Sequence, residues 1–283
     1  DYNVAVGSYA LDANTSGSLN TAVGYGALGA CTIGLENTAV GKNALAIVDS
    51  GVQNTAVGTD ALSSTSGAGH YNTAVGYSAG LALTTADRST LIGYCAGDVI
   101  TTGDQNVIIG NNCDPSAYNS SNQTVLGSGA VGSANGTVTF GDGGNDLTCT
   151  YTNTSWSNPS DIRLKEDIQD EVVGLAFIND LRPVTFRWKK EKDIAEELRV
   201  YKADSEERVM GGKHNHGFIA QEVKEVIDNY SDLKDGFSMW SEDDIDGRQR
   251  LGETALIPML VKALQELSTE LDAAKARITT LEG

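Results

Sequence analysis

The sequence predicts a mostly β first half, built as a parallel β-roll or β-solenoid, followed by an α+β domain that ends in a coiled-coil helix. Three observations lead to this fold class: a short motif recurs at a nearly constant spacing, the charge changes abruptly near the middle, and a heptad pattern closes the chain. The 283 residues suffice for a fibrous segment and one further domain.

The motif Asn-Thr-Ala-Val-Gly and its variants recur through the first half. The motif glycines stand at positions 7, 24, 41, 58, 76, 93, 110 and 127, so the spacing is 17 residues except for one spacing of 18. A fixed period of this kind is the signature of stacked structural repeats. A pair of helices needs more than about 30 residues, whereas one or two short strands with two turns fit the observed period.

Each repeat predicts a short strand that a glycine ends. In the copy at 37–41, the two-residue period of a strand places the Thr and the Val on one face and the Ala on the other. The glycine allows a turn that a side chain would hinder, and the side chain of the opening Asn can bond its own backbone. We expect Val40 to face an interior layer and a second apolar pair, such as Ala44 and Leu45, to complete that layer.

Each layer offers few large side chains, so the core of a single chain would be thin. Several chains that share one core would solve this problem, and the repeats therefore predict an oligomer. They resemble the head repeats of trimeric autotransporter adhesins and the related shafts of phage fibres, in which three chains wind as parallel β-rolls about one axis. The resemblance covers about residues 3–130 and implies a mostly β trimeric fibre.

Charge separates the two halves of the chain. Residues 1–159 contain only 2 of the 20 basic residues and 11 of the 38 acidic residues, whereas residues 160–283 have the composition of an ordinary globular domain. The net charge of −18 disfavours binding to a nucleic-acid backbone. No run of 18 apolar residues is present, so we expect no membrane span.

The cysteines predict neither a zinc site nor a disulfide framework. Cys31, Cys95, Cys113 and Cys149 are sparse and show no C-x-x-C spacing. We expect them to act as small hydrophobic residues in packed layers. His214 and His216 have H-x-H spacing, but a loop that leads into a strand is favoured over a metal site because no third ligand is evident. No metal and no cofactor are predicted.

The second half contains three segments that resemble one known family. Residues 160–168 read S-D-I-R-L-K-E-D-I and follow a Trp and a Pro, residues 181–188 read L-R-P-V-T-F-R-W, and residues 216–223 read H-G-F-I-A-Q-E-V. A hydroxyl five residues before a lysine is a weak signal by itself. In this order, the three segments resemble the intramolecular chaperone domain of endosialidases and other phage tail spikes and fibres, and the resemblance covers residues 160–283.

The resemblance implies a domain that helps the fibre to trimerise and then cuts itself off between Pro159 and Ser160. Ser160 would be the nucleophile and Lys165 its base, which makes the domain a single-turnover serine–lysine endopeptidase. Arg163 would supply a positive charge that lowers the pKa of the lysine. Pro159 also predicts an extended junction, because the residue before a proline is disfavoured in a helix.

Two further residues are candidates for a supporting role at the cleavage site. Gln221 and Glu222 either line the cleavage pocket or simply open a helix over residues 221–227, and the helix is favoured. The end of the chain predicts a coiled coil of roughly three heptads, because apolar residues alternate in steps of four and three at Leu260, Leu264, Leu267, Leu271, Ala274, Ile278 and Leu281. Leucine at both core positions does not choose between two and three strands.

These observations predict four segments: a repetitive β-roll shaft at 1–130, a β transition with the cleavage junction at 131–159, a chaperone and peptidase domain at 160–255, and a coiled coil at 256–283. They predict a phage tail fibre or spike tip in the virion, made in the host cytoplasm. Its partners would be two further copies of itself and a host receptor, such as a glycan or outer-membrane component. The alternative is a bacterial trimeric adhesin with a permanent C-terminal clamp and no cleavage.

Overall fold

The computed structural model describes residues 2–65, 69–144, 146–152, 156–157, 160–233, 237–243 and 246–282. The chain forms two compact units, Asp1–Lys165 and Glu166–Gly283. The four segment boundaries drawn from the sequence stay predictions. No helix within the described ranges has both the length and the apolar character needed to cross a membrane.

The first unit is a parallel β-solenoid, as the repeats predicted. One ten-stranded sheet runs in chain order through β1 Val4–Val6, β2 Thr21–Val23, β3 Thr38–Val40, β4 Thr55–Val57, β5 Thr73–Val75, β6 Thr90–Ile92, β7 Val107–Asn111, β8 Thr124–Ser128, β9 Thr137–Gly141 and β10 Leu147–Thr150. Strands β1 to β9 are parallel, and β10 returns antiparallel to β9. Equivalent residues of successive repeats pair, so each repeat forms one turn.

In β2 to β5 the strand alanine, and not the valine, fills the interior of the turn. Ala39 and the equivalent Ala56 are fully buried, whereas Val40 is 36% exposed. Leu45, from the predicted second apolar pair, is also fully buried. The expectation that Val40 faces an interior layer is therefore wrong, because leucines from the rest of the turn already occupy the narrow interior and leave space only for a methyl group on the strand.

Where a larger residue replaces the strand alanine, smaller residues elsewhere in the solenoid make room for it. Leu91 occupies the alanine position of β6 and is fully buried. The space comes from two glycines, since a Cβ at Gly80 would lie 2.6 Å from Leu91 Cδ1 and one at Gly97 would lie 2.8 Å from Leu91 Cδ2. A single chain thus encloses a close-packed interior. We expected several chains to share one core. This expectation is wrong for the interior of the turns, because a single chain fills it.

A ladder of buried asparagines connects the turns. Asn37 Nδ2 donates to the carbonyl oxygen of Gly51 at 2.7 Å, and Asn37 Oδ1 accepts from the backbone N–H of Asn54 at 3.0 Å. Asn54 repeats both contacts with Gly69 and Asn72. We expected the amide to bond its own strand, but it bonds the adjacent turns, which satisfies these buried amides and fixes the register.

The motif glycines are required by the backbone, as predicted. All eight have φ between +126° and +147°, where a side chain is strained. The turns are also stacked too closely for a Cβ, since one built on Gly58 would overlap the carbonyl oxygen of Gly76 in the next turn. Of the four cysteines, Cys31 and Cys113 are buried small residues as expected, whereas Cys95 and Cys149 are only partly covered.

The second unit is a mixed α/β fold. Its elements are α1 Leu175–Asp180, β11 Val184–Phe186, β12 Asn215–Gly217, α2 Ala220–Asp228, β13 Trp240–Glu242, β14 Gln249–Leu251 and α3 Ile257–Glu282. Strands β11 and β12 form one antiparallel pair, and β13 and β14 form another. A single apolar core includes Phe177 of α1, Val223 and Ile227 of α2, and Met259 of α3.

Helix α3 confirms the predicted C-terminal helix. Its first turns pack on the core through Met259 and Ala263, and Glu266 accepts a hydrogen bond from the backbone N–H of Leu175 at 2.8 Å. The remaining turns expose their apolar side chains, since Leu264 is 65% exposed and Leu271 is 55% exposed. In water such a stripe is expected to find a partner helix.

Candidate functional site

Ser160 and Lys165 lie in contact at the start of the second half of the chain. The Nζ atom of Lys165 donates a hydrogen bond to the Oγ atom of Ser160 at 2.8 Å. A short 3-10 helix, Ile162–Leu164, reverses the chain between them, and Asp161 caps it by accepting a hydrogen bond from the backbone N–H of Arg163 at 2.9 Å. The five-residue spacing therefore corresponds to one tight turn that brings the hydroxyl and the amine together.

Arg163 forms an ion pair with Asp161 in this turn. Its Nε and NH2 groups donate to the two carboxylate oxygens of Asp161 at 3.0 and 2.6 Å. The pair lowers the pKa of Asp161 and raises that of Arg163, mainly through these hydrogen bonds. The sequence interpretation made Arg163 a source of positive charge for Lys165; in the structure Asp161 pairs with that charge, and the supporting role of Arg163 stays a prediction.

The site is open to water in the single chain. Ser160 and Lys165 are both exposed, and the apolar side chains between them are uncovered, with Ile162 at 72% exposure and Leu164 at 70%. A serine–lysine pair at hydrogen-bond distance can pass a proton from the hydroxyl to the amine when the amine is neutral. Burial favours the neutral form of an amine. The exposed apolar side chains around the pair are groups that another chain would bury if it packed there.

The chain just before the site is held against the solenoid. Ser157 and Thr148 exchange backbone hydrogen bonds of 2.8 and 3.0 Å, and the ring of Trp156 lies 5.4 Å from that of Phe140. The predicted junction residue Pro159 lies outside the described residues. The anchored segment at 156–157 and the turn at 160–165 therefore flank the predicted scissile bond.

Gln221 and Glu222 lie in the second unit, in the first turn of α2. The expected helix is therefore present, and a supporting role of the two residues in cleavage stays a prediction. Glu222 accepts two hydrogen bonds from Arg182, one from Nε at 3.0 Å and one from NH2, and this contact lowers the pKa of Glu222. Gln221 is exposed. The ion pair connects α2 to the segment that leads into β11, which is a structural role inside the unit.

The two histidines of the H-x-H motif have different surroundings. His214 Nε2 accepts a hydrogen bond from Arg187 Nε at 3.1 Å, and His216 lies in β12 opposite Thr185. The described part of the chain contains no group of three or more His, Cys, Asp or Glu side chains arranged to hold a metal ion.

The sequence interpretation missed one perturbed carboxyl group in the solenoid. Burial, together with the charge of Asp98, raises the pKa of Asp114 to about 6. Its Oδ1 atom is buried without a hydrogen-bond partner among the described residues. Nothing in the sequence around Asp114 indicated this raised pKa. Asp98 belongs to the adjacent turn and comes close to Asp114 only in the fold.

Comparison with known families confirms the resemblance of the second half. Residues 160–232 match the family model Peptidase_S74, described as the chaperone of endosialidase. The match begins at Ser160 and covers about a quarter of the chain, including the Ser160–Lys165 pair and the elements α1 to α2. A search of curated proteins and a search of solved structures gave no match. The family points to trimerisation of a phage tail fibre or tail spike.

Proposed function

We propose that this chain is the tip of a phage tail fibre or tail spike, and that its C-terminal half, residues 160–283, drives homotrimerisation and then cleaves the chain between Pro159 and Ser160. The observation that carries this proposal is the 2.8 Å contact between Lys165 Nζ and Ser160 Oγ, at the first residue of the family match. The domain is then an intramolecular chaperone that acts once as a serine–lysine endopeptidase.

The proposed reaction starts with transfer of the Ser160 hydroxyl proton to neutral Lys165. The Oγ atom attacks the carbonyl carbon of Pro159, the C–N bond to Ser160 breaks, and the released amine takes a proton from the lysine. Water then hydrolyses the resulting ester to a Pro159 carboxylate and a free Ser160 hydroxyl. Nucleophile and carbonyl belong to adjacent residues, which removes most of the entropic cost of their encounter.

Assembly is expected to come before cleavage. Lysine acts as a base only when neutral, and an amine open to water is mostly charged. Ile162 and Leu164 are exposed beside the dyad in the single chain. Packing of these side chains in the trimer would desolvate Lys165 and start the reaction. Helix α3 exposes an apolar stripe that includes Leu264 and Leu271. This stripe supports the proposal that the second units of three chains associate first and so bring the chains together.

The solenoid is proposed to attach the virion to its host, through a glycan or an outer-membrane component. Exposed tyrosines support this proposal: Tyr77 and Tyr94 are stacked with ring centroids 5.3 Å apart, and Tyr9 and Tyr25 are in edge contact at 5.5 Å. Aromatic surfaces of this kind are common in binding sites. The alternative, a bacterial adhesin with a permanent clamp, rests on the likeness of the repeats to adhesin heads.

The intact mass of the purified protein tests the proposed cleavage. The wild-type chain should yield two fragments, with Ser160 as the new N-terminus of the second. Ser160→Ala and Lys165→Ala should both remain whole and still trimerise, because assembly needs the fold of the domain and not its reactivity. Ser231→Ala and Lys213→Ala are controls at positions outside the dyad, and both should be cleaved normally. Equal cleavage of Ser160→Ala at the same bond would refute the dyad.

A further inference from the structure

An apolar row follows the outward face of the solenoid from end to end. It consists of the third residue of each strand from β1 to β8 and continues into β9; we call it the valine row. Val40, Val57 and Val75 are each 36% exposed, and the isoleucines Ile92 and Ile109 continue the row at 37% and 38%. The regular register of the sheet places these side chains directly above one another.

The valine row lies on a face without charge. Strands β1 to β9 contain no charged residue, although the chain has a net charge of −18. Other exposed rows are mixed: the position after the motif glycine holds Tyr25 but also Lys42, and the position before the motif Asn holds Tyr71 but also Glu36 and Arg88. Exclusion of charge from one continuous exposed face is a feature of the centre of protein interfaces.

The axial repeat of the row limits what can cover it. Parallel strands place one branched side chain about every 4.8 Å along the axis. Methyl groups at this spacing pack well only against a surface with the same rise, because any other spacing loses register after a few turns. A second copy of the solenoid has this rise, and it presents the same sequence of valines and isoleucines in the same order.

We propose that the valine row is the surface along which copies of the chain pack in the assembled solenoid, so that the rows of neighbouring chains meet along the axis of the trimer. The proposal rests on the homotrimer of the proposed function and assigns its contact face. The chains then do not share the interior of their turns. Each chain closes its own alanine-lined core, and the outer valines form the contact between chains.

Cysteine cross-linking in the full-length chain tests this assignment. Val57→Cys, in a background with Cys95→Ser and Cys149→Ser, places a thiol of similar size on the row, and Gln53→Cys places a control thiol on the exposed side of the same turn. Mild oxidation should convert most of the Val57→Cys protein into covalent dimers on a denaturing gel and leave the Gln53→Cys protein monomeric. Val57→Asp should also reduce the trimer fraction at least tenfold, whereas Gln53→Asp should not.

The possible results separate this inference from the proposed function. A wild-type trimer in sedimentation equilibrium that gives no Val57→Cys cross-link would overturn the contact face and leave the homotrimer intact. An unchanged trimer in the Val57→Asp variant would do the same. A wild-type protein that sediments as a monomer of 29.7 kDa would refute the proposed homotrimer itself and with it the contact face.

Discussion

The solenoid and the second unit reach a packed core by different routes. In the solenoid the turns that contain β2, β3 and β4 repeat the same few contacts, with a buried Ala, a buried Leu and an Asn that bonds the adjacent turns. In the second unit one apolar cluster collects single residues from α1, α2 and α3, which are far apart in sequence. The solenoid can add turns one by one onto an existing turn, whereas its first turn has no template.

This difference fits the proposed role of the C-terminal half in assembly. Repeat arrays gain stability mainly from interfaces between neighbouring units, so the start of a solenoid is costly and its growth is favourable. A conventional domain with an exposed helical seam can associate first and hold the chain ends together. On the proposed function, the second unit would be needed for assembly and not for maintenance of the trimer.

Removal of the second unit should abolish trimer formation when it precedes folding and should have no effect on the trimer when it follows folding. Residues 1–159 expressed alone should fail to form a soluble trimer, because nothing brings the chains into register. The same residues should remain trimeric when they fold with the second unit and are cut from it afterwards at an engineered protease site before Ser160. Their melting temperature should depend on scan rate, as expected for a kinetically stable fibre. Sedimentation velocity and calorimetry measure both properties.

Either of two outcomes would contradict this role. A solenoid that falls apart after the cut would make the second unit a permanent clamp, as in the adhesin alternative. A solenoid that trimerises equally well without the second unit would remove the chaperone role.

Gly58→Ala should break the solenoid and leave the second unit folded. The added Cβ would overlap the carbonyl oxygen of Gly76, and φ at this position is +137°. Strained backbone of this kind costs about 1–3 kcal/mol before the overlap is counted. Gly136→Ala is the matched control, since its φ is +72° but a Cβ there meets nothing within 4 Å. Circular dichroism melting should show a much larger loss for Gly58→Ala, and equal losses would refute the close stacking of turns.

Asn54→Ala should weaken the solenoid by about 1–3 kcal/mol, because it leaves buried backbone groups without partners. Asn54 Nδ2 bonds the carbonyl oxygen of Gly69, and its Oδ1 accepts from the N–H of Asn72. Asn135→Ala is the control, because the bond that its Oδ1 accepts from the N–H of Ser121 at 2.9 Å is exposed. Denaturant unfolding should rank Asn54→Ala as the less stable variant. The reverse order would show that the ladder does not hold the turns together.

The smallest expected effect is on the pH dependence of the solenoid. The pKa of Asp114 is raised to about 6 in the fold from an ordinary value of 3.8. A raised pKa stabilises the fold below the ordinary value, and this contribution is lost as the pH rises through about 6. Asp114→Asn should therefore melt a few degrees higher at pH 7.5 than the wild type and lose the difference near pH 4. Asp142→Asn is the control at an exposed position, and an identical pH response in both variants would refute the assignment.

Much of the fold and the core of the candidate site could be predicted from the amino-acid sequence. The period of 17 residues located every strand from β1 to β8, because parallel pairing repeats the same contacts at a fixed chain length. The motif glycines and the heptad pattern of α3 are local signals, since they depend on backbone strain and helical periodicity. The Ser160 and Lys165 pair was also predicted, and one short turn brings the two side chains into contact.

Which face of each strand lies inside could not be predicted and depends on the packing of the whole turn. A two-residue alternation separates Ala39 from Val40 but does not choose between them, and hydrophobicity favoured the valine. The choice follows from the width of the turn, because Leu45 and its equivalents fill the interior from the other side. The asparagine ladder and the Asp161–Arg163 ion pair escaped prediction for a related reason. A side chain that can hydrogen-bond to several partners bonds to the one that the fold brings within reach. The residues next to it in the sequence do not determine which partner that is.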